Sequence, residues 1–242
     1  MQRIGCALSL LLTLAAGPAL AAERVDLELV LLADASRSID DGEVLLQRQG
    51  YAAAITHPDV LAAIAGGYEQ RIAVTYVEWG QVDSQEVVVP WTVVDGPDSA
   101  AGFAKLLLAE PRLAHGPNAI GNALAAAQLL IEGNEIESTR QVIDFSGDSA
   151  YSWGGLPIHE ARAMALAAGS VINGLAILCR DCNGRPVGYD LEGAFAALII
   201  GGPGSFVVTA DGNQSFAEAV RRKLLLEIAG VPAGAELARA GE

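Results

Sequence analysis

The chain has 242 residues, 52% of them apolar, and a formal net charge of −14. So acidic a balance argues against nucleic acid and anionic membrane surfaces as partners, and it attracts cations. The length fits one domain with a core large enough to need no staples.

Residues 1–21 read as a secretory signal peptide. Arg3 gives a positive start, Ile4 to Ala16 is a short apolar region, and Ala19-Leu20-Ala21 is a small-x-small cleavage site. Cys6 lies inside this signal, and no Leu-x-x-Cys follows at the cleavage point, so a lipid anchor is not expected. No other segment is long and apolar enough to span a bilayer. The expected product is a domain over residues 22–230 with no membrane insertion after cleavage, either periplasmic or secreted from a bacterium. Residues 231–242 form a small, polar tail that is expected to fray.

Val25 to Ala33 is an apolar run with Leu29-Val30-Leu31-Leu32 at its heart, the pattern of a strand buried on both faces. Asp40-x-x-Glu43 then resembles a capping box, and Val44, Tyr51 and Ile55 follow helical spacing behind it. Arg71 to Trp79 and Val87 to Val94 are the second and third strands. Only a short polar loop separates them, so they form an antiparallel pair at the sheet edge. Ser99 to Ala109 is a short helix, and Ile120 to Ile131 carries amphipathic spacing.

Gln141 to Phe145 is the fourth strand, and a helix opened by Pro157 and closed by Gly169 follows it. Val171 to Leu178 is the fifth strand, Tyr189 to Ile199 a helix, and Ser205 to Thr209 a short sixth strand. A last helix, marked by Phe216, Val220 and Leu224, ends at Gly230. Strands alternating with helices predict an α/β fold: a doubly wound, Rossmann-like, mostly parallel six-stranded sheet with one antiparallel edge strand.

The chemistry concentrates at strand ends. Asp34-Ala35-Ser36-Arg37-Ser38 stands where the first apolar run stops, the end at which open α/β sheets bind ligands. One carboxylate and two hydroxyls at alternate positions are hard oxygen donors of low total charge. They suit Mg²⁺ or Mn²⁺, with Ca²⁺ as a further candidate. Asp148 occupies the corresponding place after the fourth strand. An ordinary polar turn is the competing reading of both pieces.

Asp144 lies mid-strand on the face of Ser146 and Asp148, where a buried carboxylate needs a partner; Arg140 and Arg162 are the candidates. Glu78, at the end of the second strand, is expected at a solvated edge. Arg221-Arg222-Lys223 reads as a solvated helix face. Gly201-Gly202-Pro203-Gly204 lacks the Lys-Ser/Thr of a phosphate loop and precedes a strand, so it is a turn. The three histidines have no metal-ligand spacing, and no Ser/His/Asp arrangement is legible. Cys179 and Cys182 have the spacing of a redox dithiol, but a turn follows them, and in an exported chain a local disulfide is expected.

The Asp-x-Ser-x-Ser string resembles the metal-ion-dependent adhesion site of von Willebrand factor A domains. Four further runs strengthen the likeness: Tyr76-Val77-Glu78-Trp79-Gly80, Val142-Ile143-Asp144-Phe145-Ser146-Gly147-Asp148, Ile200-Gly201-Gly202-Pro203-Gly204-Ser205-Phe206-Val207-Val208, and Arg221-Arg222-Lys223-Leu224-Leu225-Leu226-Glu227-Ile228-Ala229-Gly230. Together they resemble a family of bacterial secreted proteins of unknown function built on the von Willebrand A fold, from about Val25 to Gly230. The resemblance implies a cation held by Asp34, Ser36, Ser38 and Asp148. Where that pattern carries a threonine, this chain has Asn118, which could offer a carbonyl oxygen or simply cap the next helix. Ser149 replaces the glycine that usually follows the second aspartate.

The function implied is a divalent-cation-dependent protein-binding module whose partner supplies an acidic side chain. A metal-dependent periplasmic hydrolase, with Glu78 as its only nameable base, is the alternative. A redox protein using Cys179 and Cys182 is the third reading.

Overall fold

The computed structural model describes residues 22–178, 188–211 and 213–230. The expected signal peptide, residues 231–242 of the tail, and the Cys179/Cys182 pair lie outside the described residues.

The sheet grows from strand β2 (Leu27–Asp34), in which every residue is buried. Alternate side chains feed opposite faces, as strand geometry requires. Leu27, Leu29, Leu31 and Ala33 enter one core, and Val30 and Leu32 enter the other. β1 (Glu23–Val25) precedes it and pairs with β5 (Ile136–Ser138) in a separate two-stranded sheet. Both are three residues long, too short to show a period in the sequence.

The main sheet has the order β4-β3-β2-β6-β7-β8. β3 (Ile72–Trp79), β6 (Gln141–Gly147), β7 (Val171–Ile177) and β8 (Val207–Ala210) run parallel to β2. β4 (Gln85–Val94) pairs antiparallel with β3 at the edge, as the short polar link requires. Pro90, which cannot donate to a ladder, sits on that edge strand. The expected six-stranded, mostly parallel α/β sheet is therefore present. The chain leaves β2 first toward β3 and later returns to β6 on its other side, so a crevice opens at the ends of β2 and β6.

Seven helices cover the two faces among the described residues. α1 (Asp41–Ile55) begins with the expected capping box: Asp40 accepts from the Glu43 N–H at 2.9 Å, and Glu43 accepts from the Asp40 N–H at 2.7 Å. α2 (Pro58–Ala65) follows almost at once, its first turn capped by the His57 ring. No element expected from the sequence covers it. α3 (Pro97–Ala109) and α7 (Asn213–Ala229) share the face of α1 and α2. α4 (Ile120–Glu132), α5 (Ile158–Ala167) and α6 (Leu191–Leu198) cover the other. Gly230, at φ +72°, ends α7 in a left-handed turn that favours glycine.

Two expectations about charge are corrected. Lys223 is not solvated: it is fully buried, 2.7 Å from Asp144 and 2.5 Å from Glu227. Asp144 thus pairs with Lys223 rather than with Arg140 or Arg162. Arg140 instead donates to the Glu227 and Ile228 carbonyls at the end of α7, and Arg162 to the Ile200 carbonyl.

Candidate metal centre

Asp34 is the last residue of β2 and is fully buried. Its Oδ1 accepts the Ser36 N–H at 2.8 Å, which bends the chain out of the strand. Its main-chain oxygen accepts from Gln47 Nε2, also at 2.8 Å. Its Oδ2 is buried with no hydrogen-bond partner. A carboxylate oxygen in that condition is costly, so the site is short of a positive group.

The other donors converge on the same place. Ser36 Oγ lies 3.3 Å from Ser38 Oγ, and Ser38 donates to Asp148 Oδ1 at 3.0 Å. The two strand ends are therefore linked through side chains 110 residues apart. Gly147, just before Asp148, makes the approach possible. A Cβ at that position would lie 3.1 Å from Asp34 Oδ2 and 3.3 Å from the Trp79 ring. The electrostatics follow from the packing. Burial, and then the charge of Asp148, push the Asp34 carboxyl up to about 8. Burial also raises Asp148, against the lowering effect of the Ser38 hydroxyl. Two acids have been drawn together, and among the described residues no ion pair reaches either.

Asn118 stands on the adjoining loop. It is buried, and its main-chain oxygen accepts from the Trp153 N–H at 2.7 Å and from Ser152 Oγ at 3.3 Å. The capping explanation of this residue fails. The N-cap of α4 is Ala119, and no side chain caps that helix. No hydrogen bond joins the Asn118 amide to the other four candidates among the described residues. The structure thus links Asp34, Ser36, Ser38 and Asp148 directly, whereas the bonds of Asn118 go to Ser152 and Trp153 of the loop after Asp148.

Several supporting residues went unseen in the sequence. Arg112 holds the Asp34–Asp41 loop, donating to the carbonyls of Ile39 at 2.9 Å, Ala35 at 2.5 Å and Ser36 at 3.0 Å. Gln47 and Arg48 lie within the buried stripe of α1. Polar residues interrupting that apolar face were the available signal. Arg48 donates to the Glu110 and Pro111 carbonyls and pairs with Glu78 at 2.6 Å. Glu78 is therefore not at a solvated edge. It is 1% exposed, with one oxygen on Arg48 and the other accepting the Leu113 N–H at 3.1 Å. It braces the loop that carries Arg112 and is not free to act as a base. No cluster of three or more His, Cys, Asp or Glu suited to a metal occurs among the described residues. The candidate centre relies on hydroxyls as well as acids.

The fold has solved counterparts. The pilus adhesin SpaC from Lactobacillus rhamnosus GG superposes with a TM-score of 0.57 at 12% identity, covering 86% of this chain and 31% of that one. Proximal thread matrix protein 1 from the mussel byssus, in a structure described as having a zinc-occupied MIDAS motif, gives 0.58 at 16%, covering 86% and 49%. The vWF domain of the type V pili tip protein Mfa5 from Porphyromonas gingivalis gives 0.51 at 7%, covering 83% and 94%. This chain spans less than half the length of the first two. These likenesses define a von Willebrand A-type fold. Residues 24–232 match the family described as "Protein of unknown function (DUF1194)", and the chain belongs to it. No curated protein matches the chain.

Proposed function

We propose that this chain is an exported, divalent-cation-dependent protein-binding module. Asp34, Ser36, Ser38 and Asp148, with Asn118, would hold Mg²⁺ or Mn²⁺. The observation that carries the reading is Asp34 Oδ2, buried and unpartnered at the point where the two strand ends meet. The donor set fits the group: hard oxygens, two of them carboxylate-bearing, with neutral hydroxyls completing the row. A bound divalent cation would supply a Lewis-acidic centre able to take one more anionic oxygen. Two carboxylates balance its charge and the serines add none, so a partner's acidic side chain meets no local excess of negative charge. Arg112 and Gln47 fix the loop beforehand, so little is lost in ordering it. The zinc-occupied MIDAS motif of the mussel protein supports the reading by likeness of fold. A leader over residues 1–21 and a single domain over 22–230 complete the proposal; no helix among the described residues is long and apolar enough to cross a membrane.

Thermal unfolding in EDTA and in millimolar Mn²⁺ or Mg²⁺ tests it. Cation at a hundred times its Kd should add about 3 kcal/mol of stability. Asn118→Ala should weaken the effect only in part, and Asn118→Thr should keep or strengthen it. Identical melts in both buffers, with no heat of binding by calorimetry, would overturn the proposal.

A further inference from the structure

We infer that Lys223 and Asp144 become joined by an isopeptide bond inside the folded chain, with Glu227 moving the protons. The amide ties α7 covalently to β6. This modification lies apart from the proposed cation site and stands or falls without it.

Three groups able to react with one another are held together away from solvent. Lys223 and Asp144 are 0% exposed and Glu227 2%. Lys223 Nζ lies 2.7 Å from Asp144 Oδ1 and 2.5 Å from Glu227 Oε1. The carboxyl carbon of Asp144 is then at most about 4 Å from that nitrogen, since a C–O bond adds only about 1.2 Å. This is close to the separation of about 3–3.5 Å from which positioned reactants attack. The two residues come from different elements. α7 packs into the same core as α1, and Arg140 grips its Glu227 and Ile228 carbonyls, so the fold itself imposes the approach.

The charges at this place are poorly served as charges. Two acids share one ammonium, and Asp144 Oδ2 and Glu227 Oε2 are both buried without a hydrogen-bond partner. Keeping ions so placed is costly, and a buried lysine gives up its proton readily. Burial, and then the charge of Asp144, push the Glu227 carboxyl up to about 8, so at neutral pH it holds a proton that it can lend. The Phe206 ring, with its centroid 5.9 Å from Nζ, adds an apolar wall. Turning an ammonium and a carboxylate into a neutral amide takes both charges out of the core.

The step balances with the groups present, and the ion pair is its reactant state. Lys223 passes one proton to Asp144, leaving a neutral amine beside a neutral acid. The amine lone pair attacks the Asp144 carboxyl carbon and forms the C–N bond. The negative charge developing on Oδ1 is met by the Tyr51 hydroxyl, which donates to that atom at 3.3 Å. Glu227 takes a proton from the nitrogen on one oxygen and gives its own from the other to the departing Oδ2 hydroxyl. The C–Oδ2 bond breaks and one water leaves. Glu227 ends as it began, and no oxidant or activated acyl group is needed. A cavity of about 190 Å³, lined by Glu227, Asn173, Arg140, Gly204 and Gly230 among others, gives that water a way out.

The test is the intact mass of the purified full chain, held for days at neutral pH, followed by tryptic mapping. The wild type should be lighter than its sequence requires by the mass of one water. Trypsin no longer cuts after an acylated Lys223, so residues 141–162 should appear joined to residues 223–239. Glu227→Gln should form the joined peptide about a hundredfold more slowly, and Tyr51→Phe should slow it by a smaller factor. Lys223→Arg, which keeps the charge but cannot form the bond, should retain its full mass. A wild type of full mass would overturn the inference whatever the variants do, and so would a missing water that maps to other residues. A link from Lys223 to Glu227 within α7 would overturn the assignment to Asp144. Equal rates in Glu227→Gln and wild type would overturn the role given to Glu227.

Discussion

Two pairs of acids in this molecule, one buried throughout and one buried at Asp34 and half-buried at Asp148, have been treated in opposite ways. Asp144 on β6 and Glu227 on α7 are both fully buried and have an ammonium between them, since Lys223 reaches each. Asn173 adds a donor to Glu227 at 3.1 Å, and the Tyr51 hydroxyl donates to Asp144 at 3.3 Å. Asp34 and Asp148 have serine hydroxyls, a backbone N–H and, among the described residues, no ion pair. One pair is closed by the chain itself. The other is held in shape by Arg112, whose donors go to carbonyls and Asp41 rather than to the pair. The fold buries an ammonium between two acids at one place, and the second pair is where the proposed external cation would act.

The comparison breaks most visibly at Lys223. Lys223→Met keeps the length of the side chain and strands two buried acids, so it should cost about 3–5 kcal/mol in urea unfolding. Adding Asp144→Asn and Glu227→Gln to that variant should recover much of the loss. If Lys223→Met alone were neutral, the ammonium would not be what closes that pair.

At the other pair the expected effect depends on the buffer. In EDTA, Asp34→Asn replaces a carboxyl that burial has pushed up to about 8 and whose Oδ2 has no partner, so stability should hold to within about 1 kcal/mol. In saturating Mn²⁺ the same variant should lose the gain of about 3 kcal/mol shown by wild type. A variant equally destabilised in both buffers would mean that the Asp34 carboxylate acts only through its hydrogen bond to Ser36.

The gentlest contrast is with pH. Burial, and then the charge of Asp144, push the Glu227 carboxyl from its ordinary 4.5 up to about 8, and Lys223 only partly offsets this. Folding therefore takes up a proton between those values. This contribution is fully present below about 4.5 and is lost as pH rises through about 8. Lys223 from the same helix, Asp144 from β6 and Tyr51 from α1 face the group, with Arg140 close by at the helix end. Comparing Glu227→Gln with its parent, both in an Asp34→Asn background and in EDTA, should isolate a slope of at most about 1.4 kcal/mol per pH unit. Parallel stability curves would contradict it.

The layers of the fold were legible because period and punctuation agreed. β2 announced itself by a continuous apolar run, α1 by its capping box, and β4 by a link too short for a parallel return. The string from Asp34 to Ser38 and the isolated Asp148 were visible as oxygen donors at strand ends. Lys223 was hidden by its neighbours: Arg221 and Arg222 made it part of a charge run. Yet it is three residues after Val220 and four before Glu227, on the buried side of α7. Glu78 was misjudged because its partner Arg48 is 30 residues away on a helix whose polar positions looked solvent-facing. Asn118 looked like a cap because only the backbone decides where a helix starts. Pairings of that kind depend on which elements cross, and spacing along one element does not record them.

The placement of residues 22 and 230 has a practical side. β1 lies at the start of β2, against β5, and Arg140 grips the last carbonyls of α7 at the start of β6. Residues 22 and 230 therefore both emerge at the pole opposite Asp34 and Asp148. Anchored to a surface, resin or sensor chip at residue 22 or 230, the molecule would stand with its acid pair pointing outward, so one immobilised preparation can serve for every measurement of what settles there.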